Sequence, residues 1–200
     1  MKNGYLTPVR QEQVEIEIKK SRFIACSRLV INRDQAMSFL QELKTRYPDA
    51  RHHCWAYLIG NPLSASNAAM NDDGEPSGTA GKPILNVIQH KKIGDIMVIV
   101  VRYFGGIKLG AGGLTRAYSS ATENLLSKIK LTERVSMCSA RLRLDFSVEN
   151  QVRHWLENNG GEIVSIEYRS EVQMGVSLPL DRLEALVAFC QSKGIAVDQQ

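Results

Sequence analysis

Apolar residues follow two different periods in the first part of the chain, and these periods predict both strands and helices. Residues 14–18 alternate between apolar and acidic side chains, which is typical of a half-buried strand, and residues 23–30 are predicted to pair with it in a hairpin. A helical period extends from residue 37 to residue 47, with Asp34 as its predicted cap. Residues 53–59 form the third predicted strand. The chain therefore begins as a mixed α and β domain.

The most informative stretch joins an apolar strand to an amphipathic helix through a glycine-rich segment. Residues 96–101 form an unbroken, mostly β-branched run, which predicts a strand buried on both faces and ending at Arg102. Apolar side chains between residues 114 and 125 recur at helical spacing and would share one face of a helix. The intervening glycines allow positive φ angles and a close approach of another molecule to the main chain. They are Gly105, Gly106, Gly110, Gly112 and Gly113.

Polar segments separate these elements from one another and from a second pattern. Residues 60–78 are rich in small and polar side chains and are predicted as a loop that leads into a helix over residues 84–90. Residues 130–135 are polar and are predicted to connect two domains. Beyond them, strands and helices follow the order βαββαβ of the ferredoxin-like fold. The predicted elements of this second domain span residues 140–146, 148–156, 163–168, 172–178, 183–190 and 195–197.

The net charge of +4 is unevenly distributed along the chain. Residues 1–132 carry 18 Lys and Arg against 11 Asp and Glu, a net charge of +7, whereas residues 133–200 carry 7 against 10, a net charge of −3. Because the sign changes where the periodic patterns restart, we predict an N-terminal domain over residues 1–132 and a C-terminal domain over residues 136–200. A basic domain suits an acidic partner such as RNA, although a surplus of this size also serves solubility.

The glycine-rich segment is a candidate anion site. Free N–H groups at the following helix start can face an anion, and nearby cations would add charge-assisted hydrogen bonds. Two named phosphate-binding motifs do not fit, because Thr115 stands where the dinucleotide fingerprint needs glycine and Ala111 stands where the P-loop needs lysine. The alternative is a turn that only packs the helix tightly against the strand. The predicted basic contacts are Arg102, Lys108 and Arg116, with Lys82 from a second glycine segment.

Acidic and histidine side chains offer weaker candidates for catalysis. A carboxylate pair for acid–base chemistry is possible in the predicted loop, but a capped turn leading into the next helix explains the same residues. Alternation on a strand places His52 and Cys54 on one side, yet two ligands do not make a zinc site, so no metal is predicted. The possible acid–base groups are Asp72, Asp73, Glu75, His52 and His53.

Four stretches of the chain resemble one protein family. The stretch RYFGGIKLGAGGLTRAY at residues 102–118 is similar to the signature of the IMPACT family, whose bacterial branch is the YigZ-like proteins. KKSRFI, DARHHCW and DDGEPSGTAGKPIL, which begin at residues 19, 49 and 72, agree in order. The resemblance implies an α+β protein, with an N-terminal domain like the second domain of ribosomal protein S5 followed by a ferredoxin-like domain. It also implies a link to translational control and stress, without an established reaction.

These observations favour a binding protein over an enzyme. No apolar run approaches the length of a membrane span, and the N-terminal residues lack the apolar core of a secretory signal, so we expect a cytosolic protein without a membrane partner. The first hypothesis is a non-enzymatic protein whose basic domain contacts RNA or the ribosome and modulates translation. The alternatives are an enzyme that acts on a phosphorylated or peptide substrate, and an adaptor that binds another protein through the acidic C-terminal domain. No cofactor is predicted.

Overall fold

The computed structural model describes residues 4–65 and 67–199. Within this range the chain divides into two compact units, an N-terminal unit over Tyr5–Arg134 and a C-terminal unit from Val135 onward, together with Gly4. Each unit combines helices with a sheet, so the fold class is α+β, as predicted. A search of the described residues finds no helix with both the length and the apolar character needed to cross a bilayer.

An antiparallel sheet of five strands forms the centre of the N-terminal unit. After a first strand, β1 (Gly4–Pro8), its strands are β2 (Glu12–Ile18), β3 (Ser21–Leu29), β4 (His52–Ile59), β5 (Asn67–Asn71) and β6 (Ile96–Tyr103). They lie side by side in the order β2-β3-β6-β4-β5. The most apolar strand, β6, therefore occupies the middle of the sheet.

Helices cover both faces of this sheet. They are α1 (Arg33–Arg46), α2 (Gly81–Lys91) and α3 (Gly110–Leu126). Because successive side chains of a strand point to opposite faces, Val98 and Val100 of β6 share a core with α2 and α3, whereas Met97 and Ile99 share a core with α1. The prediction of a strand buried on both faces is confirmed, and the central position of β6 is the reason for its unbroken apolar run.

Three local predictions for this unit are wrong. Asn32, not Asp34, caps α1, because the Asn32 side-chain oxygen accepts a hydrogen bond from a backbone N–H of the first turn at 2.9 Å. Strand β6 does not end at Arg102 but continues to Tyr103, because pairing with β3 extends that far. The predicted loop over residues 60–78 contains β5, whose small and polar sequence shows no strand pattern. Pairing with the edge of β4 decides its conformation.

The C-terminal unit contains the six predicted elements in the predicted order. They are β8 (Met137–Leu144), α4 (Glu149–Asn158), β9 (Glu162–Tyr168), β10 (Val172–Pro179), α5 (Leu183–Ser192) and β11 (Ala196–Gln199), after β7 (Leu131–Val135), which pairs with β1. The strands form an antiparallel sheet in the order β11-β8-β10-β9. Alternate residues of β8 and β10 are buried and form a core with Val152, Leu156, Leu186 and Cys190 of the two helices.

The segment predicted as a polar connection, residues 130–135, is largely strand β7. Only Ser136 stands between β7 and β8. We nevertheless expect limited proteolysis to separate two resistant fragments near residues 131–137, because side chains on both sides, such as Val135 and Met137, are exposed. Mass spectrometry of the fragments would locate the cut. First cleavage between residues 60 and 120, leaving a trimmed core that spans both units, would contradict this boundary.

Candidate anion-binding site

The start of α3 is open to ligands. Leu109 occupies the N-cap position, and its apolar side chain cannot accept a hydrogen bond from the helix. The first turn, Gly110–Gly113, has the sequence Gly-Ala-Gly-Gly and so contains no carboxylate. Gly110, Ala111 and Gly112 are exposed. Backbone N–H groups that lack an intrahelical partner are thus available at the positive end of a helix of 17 residues.

The start of α2 is occupied by a carboxylate from the same unit. Asp72 Oδ1 accepts hydrogen bonds from the backbone N–H groups of Ala80 (2.9 Å) and Gly81 (2.8 Å), and Oδ2 accepts one from Gly78 (2.8 Å). Burial acts to raise the pKa of Asp72, but these hydrogen bonds outweigh it and hold the pKa below its usual value. Lys82 is exposed in the first turn of this helix. The anion position beside Lys82 is therefore filled by the protein itself.

A cavity of about 300 Å³ lies at the junction of β6 and α3. Its walls include Arg102 at the end of β6, Phe104 and Lys108 in the connecting loop, and Gly110 and Ala111 at the start of α3. Glu75 contributes the facing acidic side chain. The structure thus brings the predicted basic residues Arg102 and Lys108 to the same cavity as the open helix start.

Arg102 belongs to a buried polar network under this cavity. Its Nη1 donates to Glu75 Oε1 at 2.6 Å, and the two side chains are only 7% and 4% exposed. The Tyr118 hydroxyl donates to the same carboxylate oxygen at 2.9 Å and lies 3.2 Å from the Cys54 thiol. Burial raises the pKa of Cys54 to about 12 and also raises the pKa of Tyr118. These groups are neutral or paired, so they support the cavity wall rather than supply a nucleophile.

The other acid–base candidates also have structural partners. Asp73 Oδ2 accepts from the backbone N–H of His53 at 2.7 Å and lies near Lys44, with its Oδ1 at 3.6 Å from Nζ. The Asp73 carbonyl oxygen lies 2.9 Å from Nδ1 of His52. Burial lowers the pKa of His53, whose imidazole is therefore neutral near pH 7. Together with the Asp72 cap on α2, these contacts of Asp73 fix the turn that connects β5 to α2. Among the described residues, no group of three metal-ligating side chains is found.

The glycines of the β6–α3 loop have different roles. A Cβ atom on Gly105 would lie 2.0 Å from the carbonyl group of Lys20, and the Gly105 N–H donates to Ser21 Oγ at 3.1 Å. Gly106 and Gly110 adopt positive φ angles of 85° and 71° and face open space. Gly105 therefore packs the loop against the β2–β3 turn, whereas Gly110 leaves the helix start uncovered.

Arg116 lies in a second, smaller hollow beside the first. This hollow of about 170 Å³ is lined by Arg116, Lys19 and Gly113, and Leu109 borders both spaces. Lys19 was missed in the sequence analysis, although its place in a Lys-Lys turn between two predicted strands was a possible signal. Phe104 was also missed, because the sequence marks this aromatic residue only as part of the family signature. Its side chain is 54% exposed.

Comparisons with known proteins agree with the sequence signature at this junction. Residues 19–126 match the Impact N-terminal domain, and residues 142–189 match a Domain of unknown function (DUF1949). The chain is 37% identical to an IMPACT family member of Haemophilus influenzae, over 90% of this chain and 88% of that protein. It is 35% identical to the IMPACT family member YigZ of Escherichia coli K12, over 88% of this chain and 86% of that protein.

A solved structure has the same fold over the whole chain. A crystal structure of a hypothetical protein superposes with a TM-score of 0.74 at 31% sequence identity and covers 100% of this chain and 98% of its own. Relatives of similar length and sequence, and a solved structure with a similar fold, thus support the family that the signature at the β6–α3 junction indicates. The chain belongs to the IMPACT family.

Proposed function

We propose that this protein is a non-enzymatic binding protein whose N-terminal unit contacts RNA, free or on the ribosome, and thereby modulates translation in the cytosol under stress. The observation that carries the proposal is the open start of α3 beside Lys108. Backbone N–H groups and a cation converge there on one cavity, which is the arrangement that favours a phosphate. Arg102 helps to form the wall of the cavity but adds little net positive charge, because Glu75 already balances its charge.

The distribution of charge supports a polyanionic partner. The net charge of residues 1–132 is +7, whereas that of residues 133–200 is −3. Lys19, Lys108 and Arg116 are exposed around the two adjoining hollows, so part of the surplus is concentrated at the candidate site. A local excess of positive charge accelerates and strengthens association with RNA.

Family membership supports the proposed link to translation, and the sheet topology supports the proposed fold of the C-terminal unit. The IMPACT resemblance implies a link to translational control, and proteins named IMPACT homolog in Dictyostelium discoideum and Saccharomyces cerevisiae match 60% and 52% of this chain. The sheet order β11-β8-β10-β9, joined by two helices, supports the ferredoxin-like assignment of the C-terminal unit. The likeness of the N-terminal unit to the second domain of ribosomal protein S5 is part of the same proposal.

The RNA-binding experiment also tests two alternative functions, an enzyme and a protein adaptor. An enzyme acting on a phosphorylated or peptide substrate would need free acid–base groups, yet Asp72, Asp73 and Glu75 each have the structural partners described above. An adaptor would bind a protein through the acidic C-terminal unit, and its binding would not depend on Lys108. Salt dependence and charge substitution in the N-terminal unit separate these alternatives.

We expect the wild-type protein to co-sediment with ribosomes and to bind structured RNA with an affinity that falls steeply as salt rises, because each phosphate contact releases counterions. Replacing Lys108 and Arg116 together by glutamine should weaken binding at least tenfold, equivalent to about 1.4 kcal/mol, while the melting temperature hardly changes. Both side chains are exposed, so their removal leaves the cores intact.

The matched control is the double substitution Lys128→Gln and Lys130→Gln, which removes the same charge near the opposite end of α3. Both control residues are exposed. The control should retain most of the affinity. Equal losses of RNA affinity in the two variants would show that overall charge, rather than the cavity, determines the affinity. An RNA affinity that stays constant from low to physiological salt would instead favour the protein adaptor.

A further inference from the structure

Phe104 is an exposed aromatic residue at the rim of the anion-binding cavity. Its side chain is 54% exposed, and it lies in the same cavity wall as Lys108 and the first residues of α3. The neighbouring Ile107 is 43% exposed. Exposed large apolar side chains close to a charged cavity are typical of a binding surface.

The Arg102 guanidinium lies close to the Phe104 ring. Its carbon lies 5.6 Å from the centroid of the Phe104 ring and 5.4 Å from that of Phe23. The side chain is only 7% exposed, and among the described residues Arg102 Nε has no hydrogen-bond partner. A buried N–H without an acceptor is rare in folded proteins. Because Arg102 also lines the cavity, its side chain would lie beside a ligand seated there.

The dimensions of the cavity limit the ligand. Its volume of about 300 Å³ is at the lower end of the range of small-molecule sites. The cavity can therefore hold one small chemical group of a ligand, but not a folded segment of a protein or RNA. A helix start that faces an anion, with an aromatic ring alongside, offers the two contacts that a single nucleotide needs, since its phosphate is charged and its base has a flat apolar face.

We infer that this cavity binds one unpaired nucleotide, with the phosphate at the start of α3 beside Lys108 and the base stacked on Phe104. The inference rests on the proposed function and names the form of RNA that the site selects. Bases in a duplex are paired and stacked on each other, so they cannot reach Phe104, whereas bases in loops, bulges and single strands can. Stacking on an aromatic ring tolerates all bases, so selection is for unpaired structure rather than for sequence.

The test compares a short single-stranded RNA with the duplex of the same sequence by fluorescence anisotropy at fixed salt. Wild-type protein should bind the single strand at least tenfold more tightly than the duplex. Phe104→Ala should weaken single-strand binding about tenfold, whereas Phe104→Tyr should restore it because the ring is kept. The control is Phe146→Ala, since Phe146 is a similarly exposed phenylalanine of the C-terminal unit, at 50%, and should have no effect. Melting temperatures of all variants verify that they are folded.

The outcomes distinguish this inference from the proposed function. Equal affinity for single strand and duplex, or wild-type affinity in the folded Phe104→Ala variant, would overturn the stacking site. Salt-sensitive binding that is lost in the Lys108→Gln, Arg116→Gln double variant would still uphold RNA binding by the N-terminal unit in that case. An absence of RNA binding by the wild-type protein would remove both proposals.

Discussion

Replacing Arg102 by methionine is expected to lower the free energy of unfolding of the N-terminal unit by about 3–5 kcal/mol. Arg102 Nη1 and Glu75 Oε1 are 2.6 Å apart, and both side chains are almost completely buried. Methionine fills similar space without a charge, so the Glu75 carboxylate would remain buried without its counter-ion. The Tyr118 hydroxyl, at 2.9 Å, would still donate to it but cannot balance its charge. Urea unfolding followed by far-UV circular dichroism measures the loss.

A second arginine–glutamate pair between neighbouring strands provides the control. Arg22 of β3 donates to Glu15 of β2 at 2.7 Å, but the side chains are 50% and 43% exposed. Arg22→Met should therefore cost at most about 1 kcal/mol, because water solvates the remaining carboxylate. Adding Glu75→Gln to Arg102→Met should recover much of the loss, since no uncompensated charge is then buried. Similar losses for Arg102→Met and Arg22→Met would show that burial does not make the first pair structurally important.

Gly105→Ala is expected to destabilise the same unit by about 3 kcal/mol, at the upper end of the usual cost of overpacking. The added Cβ atom would lie 2.0 Å from the carbonyl carbon and oxygen of Lys20. These are backbone atoms of the turn between β2 and β3, so no side-chain rotation can relieve the contact. The loop would have to move away from the turn and would lose the hydrogen bond from the Gly105 N–H to Ser21 Oγ.

The same substitution at Gly112 is the matched control. A Cβ atom there would approach Arg116 Nη1 at 3.6 Å, an ordinary van der Waals distance to the end of a flexible side chain. Because Gly112 lies in the first turn of α3, alanine should leave stability unchanged or raise it by up to about 1 kcal/mol. Thermal unfolding of both variants makes the comparison. Equal stability of the two would contradict the packing role assigned to Gly105.

The glycine-rich segment has the packing role that one interpretation of its sequence predicted, whereas anion binding stays a prediction. Gly105 packs closely against the neighbouring turn, as expected for a structural glycine. Gly110 lies at the exposed start of α3 with a φ of 71°, a left-handed conformation that glycine adopts without steric cost. Sequence reasoning could not assign these roles, because glycines of the same type and spacing become distinct only through what lies opposite each of them.

The candidate site shows the same division between local and long-range information. The local run of Arg102, Lys108 and glycines was enough to predict where cations and a helix start would converge. It did not reveal that Glu75, 27 residues before Arg102, balances the buried guanidinium. Nor did it reveal that Asp72 already occupies the start of α2 beside Lys82. These contacts depend on how the β5–α2 connection folds over the end of β6.

The amino-acid sequence by itself determined the type and order of most elements, because the period of apolar side chains is a local property of strands and helices. The double-sided burial of β6 and the six elements of the C-terminal unit follow from that pattern. Only the tertiary structure decided that the pattern-free residues of β5 become a strand, because a hydrogen-bonding partner on β4 is needed. It also decided which helix start is filled by a carboxylate and which is open, since the turn after β5 must fold back to bring Asp72 to the start of α2. The packing of Gly105 depends on Lys20, which is distant in the chain.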